Sequence, residues 1–535
     1  MEKNNDSYTP HPLGSMTSTT APSMWSSMVA FFNVFKRISS IALPMGLSYT
    51  FSFSIVAINL LLNRLQNDDE KATAAIALIT STLNAVIVIA VSPLFSMSGV
   101  AKFKRGQLDN TIFQGAREEL IQEIGAVNRS GIILSTVIIP PTFLALFFSK
   151  TLLTHWFKQD EDVAQITQDF LRIYSIAVPA LVLRTGFEQM MFSFDKTTAA
   201  MVIGLINFTL GTLLAYWLGF GGAGLSGMGT AAVAIAYVIE AYVTSLCFGL
   251  YIGHNRSLRQ EGDYRFFHFF EAIKKIPQQV WEVLKPGLSM LFTFFNEMIL
   301  TFAITIAAGL TGTTEQAALT FALQLVFFNI ILQLCFAQTI YQEMNTEIGR
   351  GEYAKAGRLG KFGLIIASIY TTPFPILFSI FPTFLMNLLG NHNETVQKIA
   401  KIVIPIISLG TIFDALRVAL LQQLRAVKNL LWSAVISVAS LWLGGVLAFI
   451  LGPGTNLGIK GVVAGFAGGM GVAFFSLFAL WSHQIQPRVI ASNQQKRSPT
   501  LACHCIPDIF KLCRRRRYTA ISEDEHPVTE NIHQP

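Results

Sequence analysis

Six ionisable side chains interrupt stretches that are otherwise apolar: Arg184, Glu188, Glu240, Glu297, Asp414 and Arg417. A charge inside a bilayer costs roughly 2.5–3.5 kcal/mol on insertion scales, so such groups face a bundle interior or a wet cavity and mark ion pathways and proton relays. Glu297 and Asp414 have the types and positions for a coupling site. At 1.5 Å of helical rise per residue they lie about 21 and about 16 Å from the same membrane face. Two carboxylates sharing one site repel, and that favours one of them taking up and releasing a proton near neutral pH. The plainer reading pairs Asp414 with Arg417, three residues along one helix face, and leaves Glu297 a hydrogen-bonded structural group.

The other ionisable groups leave alternatives open. Glu240 has no basic residue near it in sequence and is either a cation contact or a protonated hydrogen-bond donor. Arg184 and Glu188 are spaced i, i+4 and predict a salt bridge within one helix; the alternative is a gate, or a contact to an anionic substrate. Asn207, Gln324, Asn329 and Gln333 are uncharged and either link helices or line a polar cleft.

These residues need a scaffold that crosses a membrane. The chain has 535 residues, 52% hydrophobic and 13% charged, against roughly a quarter charged in soluble domains. Crossing about 30 Å of hydrocarbon takes about 20 apolar residues, and the sequence supplies such runs near 39–63, 73–100, 130–150, 164–194, 199–220, 225–253, 283–310, 316–340, 361–389, 397–425, 431–452 and 458–486. Backbone groups cannot stay unpaired in lipid, so each run is expected to be helical. The predicted class is an all-α polytopic membrane protein of twelve spans.

The net charge of +7 does not point to nucleic acid, because the basic residues fall in short connections. Lys102, Lys104 and Arg105 follow span 2; Arg256, Arg259, Arg265, Lys274 and Lys275 follow span 6; Arg350, Lys355, Arg358 and Lys361 follow span 8; Arg425 and Lys428 follow span 10. The intervening connections are acidic or uncharged. The positive-inside bias puts the basic set and both termini in the cytoplasm. The expected location is a cell membrane, either a bacterial inner membrane or a eukaryotic plasma membrane.

The two sets of six spans correspond to each other. Gly46-Leu47-Ser48 after Pro44 parallels Gly287-Leu288-Ser289 after Pro286, Arg105-Gly106 parallels Arg350-Gly351, and Gly224-Leu225-Ser226-Gly227 parallels Gly458-Ile459-Lys460-Gly461. An even number of spans per half makes this a parallel repeat, which places a substrate site between two lobes near the midplane. The expected organisation is a cytoplasmic tail over 1–35, an N-lobe over 36–253, a linker over 254–282, a C-lobe over 283–486 and a cytoplasmic tail over 487–535.

Phe413-Asp414-Ala415-Leu416-Arg417-Val418 with Leu424-Arg425-Ala426-Val427-Lys428-Asn429 resembles the acid-bearing tenth span, and the turn after it, of the multidrug and toxic compound extrusion family. Lys196 to Gly211 and Gly224 to Val238 are similar to its fifth and sixth spans. The resemblance covers roughly residues 36–486. It implies two six-helix lobes around a cleft, and export of amphiphilic organic cations in exchange for protons or sodium. Asn59 stands where the family often has an acid, Phe294 precedes Glu297 at the usual position of the span 7 acid, and Gly410 stands where some sodium-coupled members carry Tyr. These departures move the expected coupling site into the C-lobe and favour protons.

A flippase for a lipid-linked polar headgroup is the alternative, and it predicts a basic cleft centred on Arg184 and Arg417. No nucleotide-binding or hydrolase motif is present, so neither an enzyme nor a cofactor is implied, and the protein is expected to act as a monomer. In the tail, Cys503, His504, Cys505 and Cys513 fit no common zinc spacing. With Arg514 to Arg517 they predict contact with anionic lipid instead.

Overall fold

The computed structural model describes residues 24–495 apart from 54, 66–69, 156–160, 223–224, 257, 259–261, 269–275 and 389–393. The expected lipid contact around Cys503 and Arg514 therefore lies outside the described residues, as does Gly224. The architecture is helical throughout, with a two-residue antiparallel pairing of Gly221–Gly222 with Leu225–Ser226 between two helices.

Twelve spans follow in order. Span 1 is Met24–Phe53 continued by Ile55–Leu65; span 2 is Glu70–Val91 and Ser96–Asp109 joined by a 3₁₀ turn at Ser92–Phe95. Span 3 is Gln114–Phe147, and span 4 is Glu161–Ser175 with Val178–Ser193, bent by 56°. Spans 5 and 6 are Thr197–Phe220 and Thr230–His254. Span 7 is Ile276–Thr311, span 8 Thr313–Gly349, and span 9 Tyr353–Thr371 with Pro373–Ile380. Spans 10, 11 and 12 are Glu394–Ala426, Leu430–Leu451 and Ile459–Gln484. Ten of these helices, or eleven counting the bent pair of span 4, are long and apolar enough to cross a bilayer. Span 8 completes the twelve, since no charged residue lies between Glu315 and Glu343.

Several sequence expectations shift. The N-terminal helix begins at Met24, inside the segment expected to be a tail to residue 35, and Pro487–Gln495 forms a further helix after span 12. Lys102 and Arg425 are not loop residues: span 2 runs on to Asp109 and span 10 to Ala426, which leaves the two side chains 2% and 4% exposed. A charge beside a predicted span end suggests a connection, but here the helices run on past both residues and bury them.

The repeat is present in a different register. Where spans 2 and 8 cross, a Cβ on Gly106 would lie 2.1 Å from the carbonyl oxygen of Thr346, and one on Gly349 would lie 2.1 Å from that of Phe103. These reciprocal contacts equate Gly106 with Gly349, not with Gly351. Likewise Gly229 and Gly458 both precede the first turn of their spans at positive φ, 65° and 54°, so they correspond to each other. Gly227 does not match Gly461 in this register.

The lobes share one apolar core in only part of the membrane. A single buried cluster takes in residues from all six N-lobe spans together with Val283 and Met290 of span 7 and parts of spans 8, 9, 10 and 12, such as Ile340, Leu359, Leu424 and Trp481, in the half of the C-lobe near the basic connections. The other half of the C-lobe packs separately around Leu300, Leu319, Ile404 and Val463. On the basic side, Glu343 of span 8 is 1% exposed and receives Arg37 of span 1 at 2.5 Å and Lys102 of span 2 at 3.2 Å. Arg350 meets Asp109 there at 2.6 Å. The lobes are thus latched at one end and separate toward the other.

Candidate functional site: two buried arginines and their acids

Span 10 carries Asp414 and Arg417 on one face, one turn apart. Span 7 brings Glu297 against that face. Arg417 is 0% exposed and donates from Nη2 to Glu297 at 2.6 Å, from Nη2 and Nε to Asp414 at 2.6 and 2.9 Å, and from Nη1 to Ser437 at 2.8 Å. Both sequence readings of Asp414 therefore describe part of one arrangement: it pairs with Arg417, and through Arg417 it is joined to Glu297. The carboxylates keep 21% and 13% side-chain exposure while their cation has none. With one positive and two negative groups, the triad carries one net negative charge whenever both acids are ionised.

A second arginine of span 10, expected in the connection that follows, is part of the buried interior instead. Arg425 donates to the Ser289 carbonyl at 3.1 Å, to Ser289 Oγ at 3.3 Å and to Thr293 Oγ1 at 2.6 Å. Its hydrogen bonds run to neutral acceptors on span 7, one and two turns before Glu297. The Ser289-x-x-x-Thr293 spacing was the available signal.

In the N-lobe, the expected Arg184–Glu188 bridge is not the one formed. Arg184 Nη1 lies 3.2 Å from Glu240 Oε1 across the interface of spans 4 and 6, and Ser48 of span 1 donates to Glu188. Helical spacing permits the i, i+4 pair, but burial favours the partner that tertiary packing brings head-on. Glu240 is thus neither an isolated cation contact nor a lone protonated donor: it accepts from Arg184 and, at 2.9 Å, from Thr244. Gly211 of span 5 makes room for it, since a Cβ there would lie 2.7 Å from Glu240 Cγ.

The uncharged candidates divide. Gln333 donates to the Thr411 carbonyl at 3.4 Å, linking spans 8 and 10. Asn207 donates to its own span at Ile203, 2.9 Å away. Asn329 is fully buried with neither amide atom hydrogen-bonded. The side chains of Asn59 and Gln324 lie outside the described residues. Gln338, between the lobes, donates to the Phe95 carbonyl at 2.6 Å and to Ser98 at 2.9 Å, and accepts from Gln422 at 3.3 Å. No cluster of three or more His, Cys, Asp or Glu suited to a metal occurs among the described residues.

The model of the MatE family matches residues 44–217 and 289–450. The chain belongs to the multidrug and toxic compound extrusion (MATE) family. The two matched segments fall one in each lobe. A probable multidrug resistance protein NorM from Agrobacterium fabrum is 24% identical over 336 residues, 62% of this chain and 71% of that one. The protein of the same name from Brucella suis is 24% identical over 389 residues, 69% and 79% of the two chains. Among solved structures, the eukaryotic MATE transporter AtDTX14 superposes with a TM-score of 0.72 at 17% identity, covering 86% of this chain and 99% of that one. The Vibrio cholerae MATE transporter VcmN in its bent form gives 0.68 at 16%, covering 87% and 99%. These superpositions show the MATE fold. The protein is a multi-pass membrane transporter and not an enzyme.

Proposed function

We propose that this MATE protein exports amphiphilic organic cations in exchange for protons, by alternating access between its lobes. The Glu297–Arg417–Asp414 triad carries the reading. A proton taken up by either acid removes the net negative charge and frees one hydrogen-bonding face of Arg417, so protonation changes how tightly spans 7 and 10 are held together. A cationic substrate competes with Arg417 for the same oxygens, so proton and substrate bind at each other's expense, as exchange requires. The NorM names of the relatives support a multidrug substrate range. The basic face is taken as cytoplasmic on the positive-inside bias, so the latch at that end belongs to a state open to the outside. One chain suffices, because the cleft lies between its own lobes.

The headgroup-flippase alternative expected a basic cleft at Arg184 and Arg417; the acids beside both arginines favour cation export instead. The test is dye and proton flux in vesicles holding the purified protein, with and without sodium. Efflux should follow an imposed proton gradient, ignore sodium and vanish in Asp414→Asn. Undiminished efflux in that variant removes the coupling role of Asp414.

A further inference from the structure

Arg184 and Arg417 are counterparts in the repeat, and the turns that end their helices establish it. After span 4, Asp195 has φ 58°, its N–H bonds to Phe192 and the N–H of Lys196 bonds to Met191. After span 10, Lys428 has φ 63°, its N–H bonds to Arg425 and the N–H of Asn429 bonds to Leu424. Both are the same helix-ending motif with a left-handed residue, and each arginine precedes that residue by the same number of positions. Gln189 and Gln422, likewise matched, meet the same residue, Gln338. The next helices agree, because Gly211 packs on Glu240 as Gly444 packs on Gly469.

The counterpart arginines keep different company. In this register Asp414 corresponds to Leu181, and Glu240 to Gly469. Arg417 spends Nε and Nη2 on Asp414 and Glu297. Arg184, 1% exposed, uses Nη1 alone, and its Nε and Nη2 have no hydrogen-bond acceptor. A buried charged donor left unsatisfied is costly, and a guanidinium edge with two free N–H groups matches a carboxylate in geometry and charge.

We propose that the free edge of Arg184 is a subsite for a carboxylate on the transported molecule, which takes in the N-lobe the place that Asp414 takes in the C-lobe. The inference rests on the organic-cation reading above and narrows it: the favoured cargo is a zwitterionic amphiphile, its cation near Glu297 and Asp414 in one half-cycle and its carboxylate near Arg184 in another. Span 4 breaks and bends by 56° just before Val178, under two turns from Arg184, and flexing at this break is the proposed route by which the enclosed edge opens.

The test compares rhodamine 110, which carries a free carboxylate, with rhodamine 123, its methyl ester, by fluorescence anisotropy on the purified full chain. Wild type should bind rhodamine 110 about tenfold more tightly, the value of one charged hydrogen-bonded pair. Leu181→Asp supplies a tethered carboxylate at the position equivalent to Asp414. It should erase that preference while leaving rhodamine 123 binding unchanged. Arg184→Lys, which keeps the charge opposite Glu240 but loses the planar fork, should reduce the preference as well. Equal affinities in wild type, or a preference that survives both variants, overturns the subsite. Binding of rhodamine 123 without preference leaves the organic-cation reading standing but overturns the subsite, binding of rhodamine 110 alone supports both because that dye keeps the xanthylium cation, and binding of neither dye overturns both.

Discussion

Arg417 Nη2 stands 2.6 Å from a carboxylate oxygen of Glu297 and 2.6 Å from one of Asp414, so a single buried guanidinium joins span 7 to span 10. Removing one partner of a buried ion pair costs about 3–5 kcal/mol, because the remaining charge loses its compensation. Arg417→Ala should therefore lower the melting temperature in detergent sharply. Adding Glu297→Gln and Asp414→Asn to Arg417→Ala should recover most of the loss. A single variant that melts like wild type would show that the triad contributes no stability.

Gly106 and Gly349 let spans 2 and 8 cross with their backbones in contact, and a Cβ on either would lie 2.1 Å from a carbonyl oxygen of the other helix. Gly106→Ala or Gly349→Ala should force the lobes apart at the basic end. Ser98→Cys, buried in this conformation, should then react with a membrane-impermeant maleimide from that side. Unchanged labelling would mean that the crossing is not the closed gate.

Glu343 of span 8 is ion-paired with both Arg37 and Lys102 from the opposite lobe. Glu343→Gln removes the attraction for both cations while keeping the shape. The same maleimide assay should show increased basic-side access, with Lys102 still paired to Asp195. An effect no larger than that of an exposed pair such as Lys355–Glu352 would count against the latch.

Burial pushes the Asp195 carboxyl up, but Lys102, with Arg105 and Arg37, outweighs it and holds the group below its ordinary range. A depressed carboxyl stabilises the fold above the pKa of the unfolded chain, about 3.9, and the contribution disappears as pH falls through the folded value. Asp195→Asn should thus melt below wild type at neutral pH, and the gap should close below about pH 4. The carboxylate is 44% exposed, so the gap is expected to be small. A gap that widens on acidification would reverse the assignment.

The sequence by itself determined the membrane class, the twelve helices and the doubling into two lobes. Apolar length and the need to satisfy backbone groups in lipid leave no other solution for runs such as Leu430–Leu451. It also singled out Glu297, Asp414, Arg417, Glu240 and Arg184, because an isolated charge in an apolar run is visible without coordinates. Tertiary structure alone decided the partners. Sequence spacing offered Arg184 its near neighbour Glu188, but packing of span 6 on span 4 gave it Glu240, more than fifty residues away. The register of the repeat was also a matter of contact: similar Gly-containing strings suggested Gly351 and Gly227, whereas backbone proximity and positive φ selected Gly349 and Gly229. Lys102 and Arg425 looked like loop cations because sequence shows a charge but not the helices that enclose it. A one-dimensional pattern reports which groups must be buried together. Only the crossing of helices settles which donor faces which acid.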